Sequence, residues 1–153
     1  MRNAIVLLLV CVVLVSGQTT QTSPEARQAI LDYKLTLEHA NQLISAMEAM
    51  TKYLVSLPDF QDRVRKSMAM TAGERRTQLE KDPKAMAILK QNGLTAQEYL
   101  VGVPALRMAL WAAEGRADDP NIIVSPANMA FATANLAQLK PKMDAADGVG
   151  RRK

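Results

Sequence analysis

Between residues 99 and 113 the chain carries a single charge, Arg107, and its only tryptophan, Trp111. An apolar run of that length with marked ends reads as a helix buried around most of its circumference. It falls short of the roughly 20 residues needed to cross a bilayer, so its cover must be protein. The ends are set by local chemistry. Thr95 and Glu98 have the spacing of a capping box, in which the hydroxyl takes the Glu98 amide and the carboxylate returns to the Thr95 amide. Gly93 suits the left-handed end of the helix before, and Gly115 the end of this one. Pro104 falls inside, where it removes a donor and crowds the carbonyl of Leu100; a kink eased by Gly102 is expected there.

The other segments supply rods to pack around this one. Leu37, Ala40, Ile44, Met47, Thr51 and Leu54 recur at helical spacing, predicting a long helix from Thr36 to just before Pro58. Phe60, Val64 and Met68 mark a shorter helix over 59–69. Thr71 and Glu74 form a second capping box, and Asp82-Pro83 opens a helix that stops at Gly93. Ser125-Pro126 starts the last one, with Met129, Ala132, Leu136, Leu139 and Met143 on its stripe and Pro141 ending its regular part. Ser23-Pro24-Glu25 begins a helical turn to about Ile30, after which Leu31, Tyr33, Leu35 and Leu37 alternate with polar residues. The fold class read here is all-α: a small helical bundle around a kinked apolar central helix, about 94–115. Very short extended segments are read near 31–35 and 121–124, predicted to lie close together, where a brief pairing is open to them.

Residues 1–17 have the form of a secretory signal peptide: a positive start at Arg2, an unbroken apolar run from Ala4 to Val15, then Ser16 and Gly17. Processing after Gly17 is expected, with 18–24 a flexible tether, 25–147 one helical domain and 148–153 a basic disordered tail. The alternative, retention as an anchor, is disfavoured by the shortness of the run. Val10 before Cys11 argues against lipidation. Cys11 is the one cysteine, so the chain beyond Gly17 is free of disulfides and thiolate chemistry. The expected location is periplasmic or extracellular, with no membrane span in the mature chain.

A net charge of +4 invites a nucleic-acid reading that the distribution rejects. With Arg2 and the tail Arg151, Arg152 and Lys153 set aside, 15 basic residues face 15 acidic ones. The dense Arg63, Arg65, Lys66, Arg75 and Arg76 are interspersed with Asp59, Asp62, Glu74 and Glu80, the pattern of a solvated face.

Candidate chemistry is thin. His39, the sole histidine, has Thr36, Gln42 and Leu43 where a carboxylate-bundle site would need acids. Methionine-rich exported bundles can hold copper or haem. Here Met47 and Met50 lie near the core stripe, Met68 and Met70 point apart, and no C-x-x-C-H sequence is present. A metal role for His39, Met47 and Met50 is therefore the remote reading, and no cofactor is expected. Arg107 is the residue of most interest. It has no acid three or four positions away, so a partner must come from another element. Its stem could run to water or stack on Trp111, or the guanidinium could meet a ligand carboxylate. Arg107, Trp111 and Tyr99 of the same helix make the candidate ligand-binding set.

QNGLTAQEYLVGVPAL and NIIVSPANMAFATANLAQL resemble small exported helical proteins of bacteria with a glycine-led "GLTxxEY" helix and a later "SPANxxF" helix. The motif positions are Gly93, Leu94, Thr95, Glu98, Tyr99, Ser125, Pro126, Asn128 and Phe131, and the likeness spans most of 30–140. It implies the fold and export and supplies no activity. The function expected is a binding or structural module, not an enzyme, with an unknown protein or small-molecule partner. The alternatives are a carrier of a small apolar or acidic ligand beside the central helix and, more remotely, a haem or copper protein.

Overall fold

The computed structural model describes residues 23–148; the leader, most of the tether and the basic tail lie outside them. Seven α-helices occupy these residues: α1 Pro24–Asp32, α2 Leu37–Val55, α3 Phe60–Met68, α4 Ala72–Glu80, α5 Pro83–Gln91, α6 Ala96–Trp111 and α7 Pro126–Ala146. A wide π-type turn, Ala112–Arg116, closes α6 and ends at Gly115 with φ 95°. The structure is a small all-α bundle. α6 stands at its centre, packed by α1, α2, α4, α5 and α7.

α6 begins where local chemistry put it. Leu94 N–H bonds the Leu89 carbonyl at 2.9 Å and Gly93 N–H that of Lys90 at 3.0 Å, the paired bonds of a Schellman ending for α5. Gly93 supplies the left-handed residue at φ 69°. Both halves of the Thr95/Glu98 capping box form, at 3.1 and 2.8 Å. The helix then buries most of its girth, with Val103, Leu106, Ala109 and Leu110 each 1 % exposed or less, and leaves half-buried the stripe of Val101, Pro104, Met108 and Trp111.

Both prolines lie inside helices, and one expectation about them is revised. α6 runs as one helix through Pro104, and the irregular backbone comes at the π-type turn after Trp111. Pro141 does not end α7, which continues to Ala146 with Pro141 on its exposed side. A proline costs its own amide bond and crowds one carbonyl, and the packing of neighbouring turns outweighs that loss. Gly102 serves close approach. A Cβ there would stand 2.8 Å from the Tyr33 ring and hydroxyl and 2.9 Å from Leu43 Cδ1.

α2 turns slightly from its expected face. Leu43, Ala46 and Met50 join Ala40, Ile44 and Met47 in the core, while Leu37 is 39 % exposed. Residues 33–36 and 122–125 carry no helix, and no strand occurs among the described residues. The segments do not pair with each other. The buried Asn128 carboxamide stands in for a strand: Leu35 N–H donates to its Oδ1 at 3.1 Å, and its Nδ2 donates to the Tyr33 carbonyl at 2.6 Å. Nearby, Ile30, Ala105 and Ile123 form a second small cluster on the α1 side of α6.

The glycines give a pair of opposite expectations. Gly102→Ala should lower stability by about 1–2 kcal/mol, because overpacking against Tyr33 and Leu43 exceeds the gain in helix propensity. Gly73→Ala, in α4 with nothing within 4 Å of the added Cβ, should raise it by about 0.5 kcal/mol. Urea midpoints at unchanged slope measure both.

Candidate functional site

α6 carries all three residues of the candidate set but distributes them along its length. At 1.5 Å per residue, Tyr99 and Arg107 are separated by about 12 Å of axis, and Trp111 lies about 6 Å further on. Tyr99 is buried in the main core, Arg107 is 4 % exposed, and Trp111 is half-buried. The structure does not gather them into one pocket.

Arg107 does not run to water. It meets a carboxylate from another element, as its sequence context required: Nη2 donates to Asp147 Oδ1, in the C-cap of α7. The charge of a guanidinium in an apolar helix is thus answered from 40 positions later. Burial pushes the Asp147 carboxyl above its ordinary value; Arg107 pulls the other way, Asp144 adds to the rise, and Lys140 opposes it. Beside this pair, Lys140 Nζ bonds Asp144 at 2.5 Å and lies 3.5 Å from Glu114 in the turn after α6. Its ammonium is held above the usual lysine range chiefly by Asp144. These charges seal the far end of α7 over the end of α6.

The cation over the Trp111 ring is Arg116, 4.7 Å from the centroid and itself 3.5 Å from Asp119. Trp111 is the last residue of α6 and Arg116 the last of the turn that follows, so the stack spans that turn. Trp111 was a reasonable suspect on type alone; its geometry is that of a helix stop.

The remote metal set does not converge. His39 is exposed in the first turn of α2, its amide donating to Thr36 Oγ1 at 3.1 Å. Met47 lies about 12 Å further along the same axis and, with Met50, in the core. Among the described residues no group of three or more His, Cys, Asp or Glu side chains is placed to hold a metal ion. Glu98, the acid nearest His39 in effect, is already engaged by the Thr95 amide, which holds it below the usual glutamate value.

Two polar constellations escaped the sequence reading. Asn128 stands in the sequence only as a position of the SPANxxF motif. Tyr53 Oη donates to both oxygens of Asp82, at 2.8 and 3.1 Å, joining the end of α2 to the N-cap of α5, with Lys84 Nζ 4.9 Å from the Tyr53 ring centroid. An open groove of about 550 Å³ lies between α4, α5 and the head of α6, with Met86, Leu94 and Ala96 below and Arg76, Glu80 and Lys90 at its rim. Arg76 is bonded to Glu80 at 2.8 Å.

No family model matches the chain, and no match is found among curated proteins or solved structures.

The Arg107–Asp147 pair makes a signed pH expectation. An aspartate whose carboxyl sits higher in the folded state contributes stability that is complete below its unfolded value, about 3.9, and fades as pH rises through the folded value. Asp147→Asn cannot ionise, so it should lack that fade. The stability of the variant relative to the parent should therefore increase between pH 3 and pH 6 in urea titrations. At neutral pH, Arg107→Met should cost about 3 kcal/mol, because it removes one partner of a pair that is mostly shielded from water.

Proposed function

We propose that this chain is an exported, non-catalytic binding or structural module. The observation that carries the reading is the position of its most deeply buried charge. Arg107 faces the protein's own C-terminal cap at Asp147 and not a groove or a neighbouring nucleophile. Asn128 holds the 33–35 backbone, Tyr53 holds Asp82, and the Thr95 and Thr71 boxes hold helix starts. Polar side chains that an active site would keep free for substrate are here engaged in joining helices. Export rests on the apolar leader of residues 4–15, and the likeness to small exported helical proteins of bacteria belongs to the same proposal. No helix among the described residues is long and apolar enough to cross a membrane.

The carrier reading keeps one observation in its favour, the groove at the head of α6. Its floor is Met86, Leu94 and Ala96 rather than anything near Arg107. The same preparation separates the two. Protein recovered from the periplasm or medium of an exporting bacterium should begin at Gln18 by intact mass and N-terminal sequencing. In native mass spectrometry it should carry the mass of the bare polypeptide. A chain that keeps Met1 in the cell body overturns export; a small-molecule adduct shed on activation replaces the structural reading with the carrier.

A further inference from the structure

Residues 56–82 leave the bundle at the end of α2 and return to it at the start of α5, carrying α3 and α4 between. Their attachment differs from that of every other segment. α3 makes no extensive contact with another helix. Its two buried apolar residues, Phe60 and Val64, stand four apart on one face, yet both lie outside the two core clusters. α4 has no buried residue. It touches α5 and α6, and its half-buried Leu79 is its apolar contact with the main core. The closer ion pairs of this arm run within it, Arg63 to Asp59 at 2.9 Å, Arg65 to Asp62 at 3.7 Å and Arg76 to Glu80 at 2.8 Å, and so do not bind it to the body.

The base of the arm is built differently. The Tyr53–Asp82 bond joins the last turn of α2 to the N-cap of α5, so the two feet of the excursion are clasped to each other. Asp82 also accepts the Lys84 and Ala85 amides at 3.1 Å, which fixes its carboxylate. Arg63 reaches the same carboxylate at 3.8 Å, a long contact on a side chain 36 % exposed. The clasp belongs to the body; the tie from the arm to it is weak.

We propose that residues 57–81 form a strap that opens as one unit while the rest of the bundle stays folded, with Tyr53 and Asp82 keeping its base closed. Local opening is set by the apolar contact and hydrogen bonding lost, and this arm has little of the first to lose. Nine-residue helices have no independent stability, so α3 and α4 melt once they lift. Opening removes Arg76 and Glu80 from one wall of the groove and lays open its floor of Met86, Leu94 and Ala96. The strap thereby governs access to apolar surface at the head of α6.

Native-state hydrogen exchange on the full chain tests this. Amides of α3 and α4 should exchange together, at least about 30-fold faster than the slowest amides of α2, α6 and α7 once intrinsic rates are removed. The decisive variant is Ile123→Val, on the α1 side of α6. It alters closed and strap-open forms equally, so it should speed the slowest α6 and α7 amides about fivefold and leave the strap unchanged. Tyr53→Phe should behave the same way, because its bond persists in the open form. The proposal is overturned if α3 and α4 share the protection of α6 and α7, or if Ile123→Val speeds all of them by one factor. An equal rise in the strap alone on Tyr53→Phe would overturn the closed base.

Discussion

Everything in this molecule follows from the need to cover α6 over most of its circumference. A helix that is apolar around its girth cannot lie on a surface, and one bundle layer cannot enclose it. The chain answers with partners on several sides: α2 and α7 as long flanking rods, α1 across one face, and α4 and α5 near its head. Burial of that order also dictates the electrostatics. A guanidinium at the position of Arg107 would be intolerable without a counter-charge, so α7 must run far enough to bring Asp147 back to it. The length of α7, and its persistence through Pro141, are consequences of that return.

The same logic explains the join between the first and last parts of the domain. Backbone at 33–35 leaves helical geometry just where α2 must start its own course, and its amide and carbonyl then need partners away from water. A paired strand would satisfy them but would require room beside α6 that Tyr33 already fills, its ring pressed against Gly102. One carboxamide does the work in less space. Asn128 is held in place by the Ser125 cap, whose Oγ takes the Asn128 amide at 3.2 Å. A local capping rule thus positions the side chain that makes a long-range contact.

What was legible in the residues divides along that line. Starts and stops were readable because their chemistry lies within four positions: Thr95 with Glu98, Thr71 with Glu74, Asp82 before Pro83, Gly93 after α5. The buried face of α2 was read partly wrong. Leu43 and Ala46 are fully enclosed beside Met47 and Met50, and Leu37 is left outside. Pro141 misled because a local penalty was weighed without the packing that opposes it. At the candidate site, the need for a partner to Arg107 was visible, and the identity of that partner was not. Nothing local links positions 107 and 147, or 128 and 33–35. Tyr99, Arg107 and Trp111 shared a helix and a chemical character, which is not the same as sharing a pocket.

The distribution of cohesion remains to be explained in a domain with no disulfide within residues 23–148. Ion pairs do not supply it, since most lie on exposed side chains such as Lys52–Glu48 and Arg65–Asp62, where water and salt reduce each to a small fraction of its Coulomb value. Cohesion is therefore concentrated where apolar side chains are fully enclosed: Leu43 and Met47 of α2, Leu89 of α5, Val103, Leu106 and Leu110 of α6, and Leu139 of α7. α3 and α4 contribute no side chain to that group. A sequence that places its large enclosed residues on four helices, and none on the two charge-rich ones that link α2 to α5, has built a rigid body and a peripheral arm in one chain. The arm adjoins the groove because α4, packed on α5 and α6, sets Leu79 against the main core and Arg76 and Glu80 at the groove's edge.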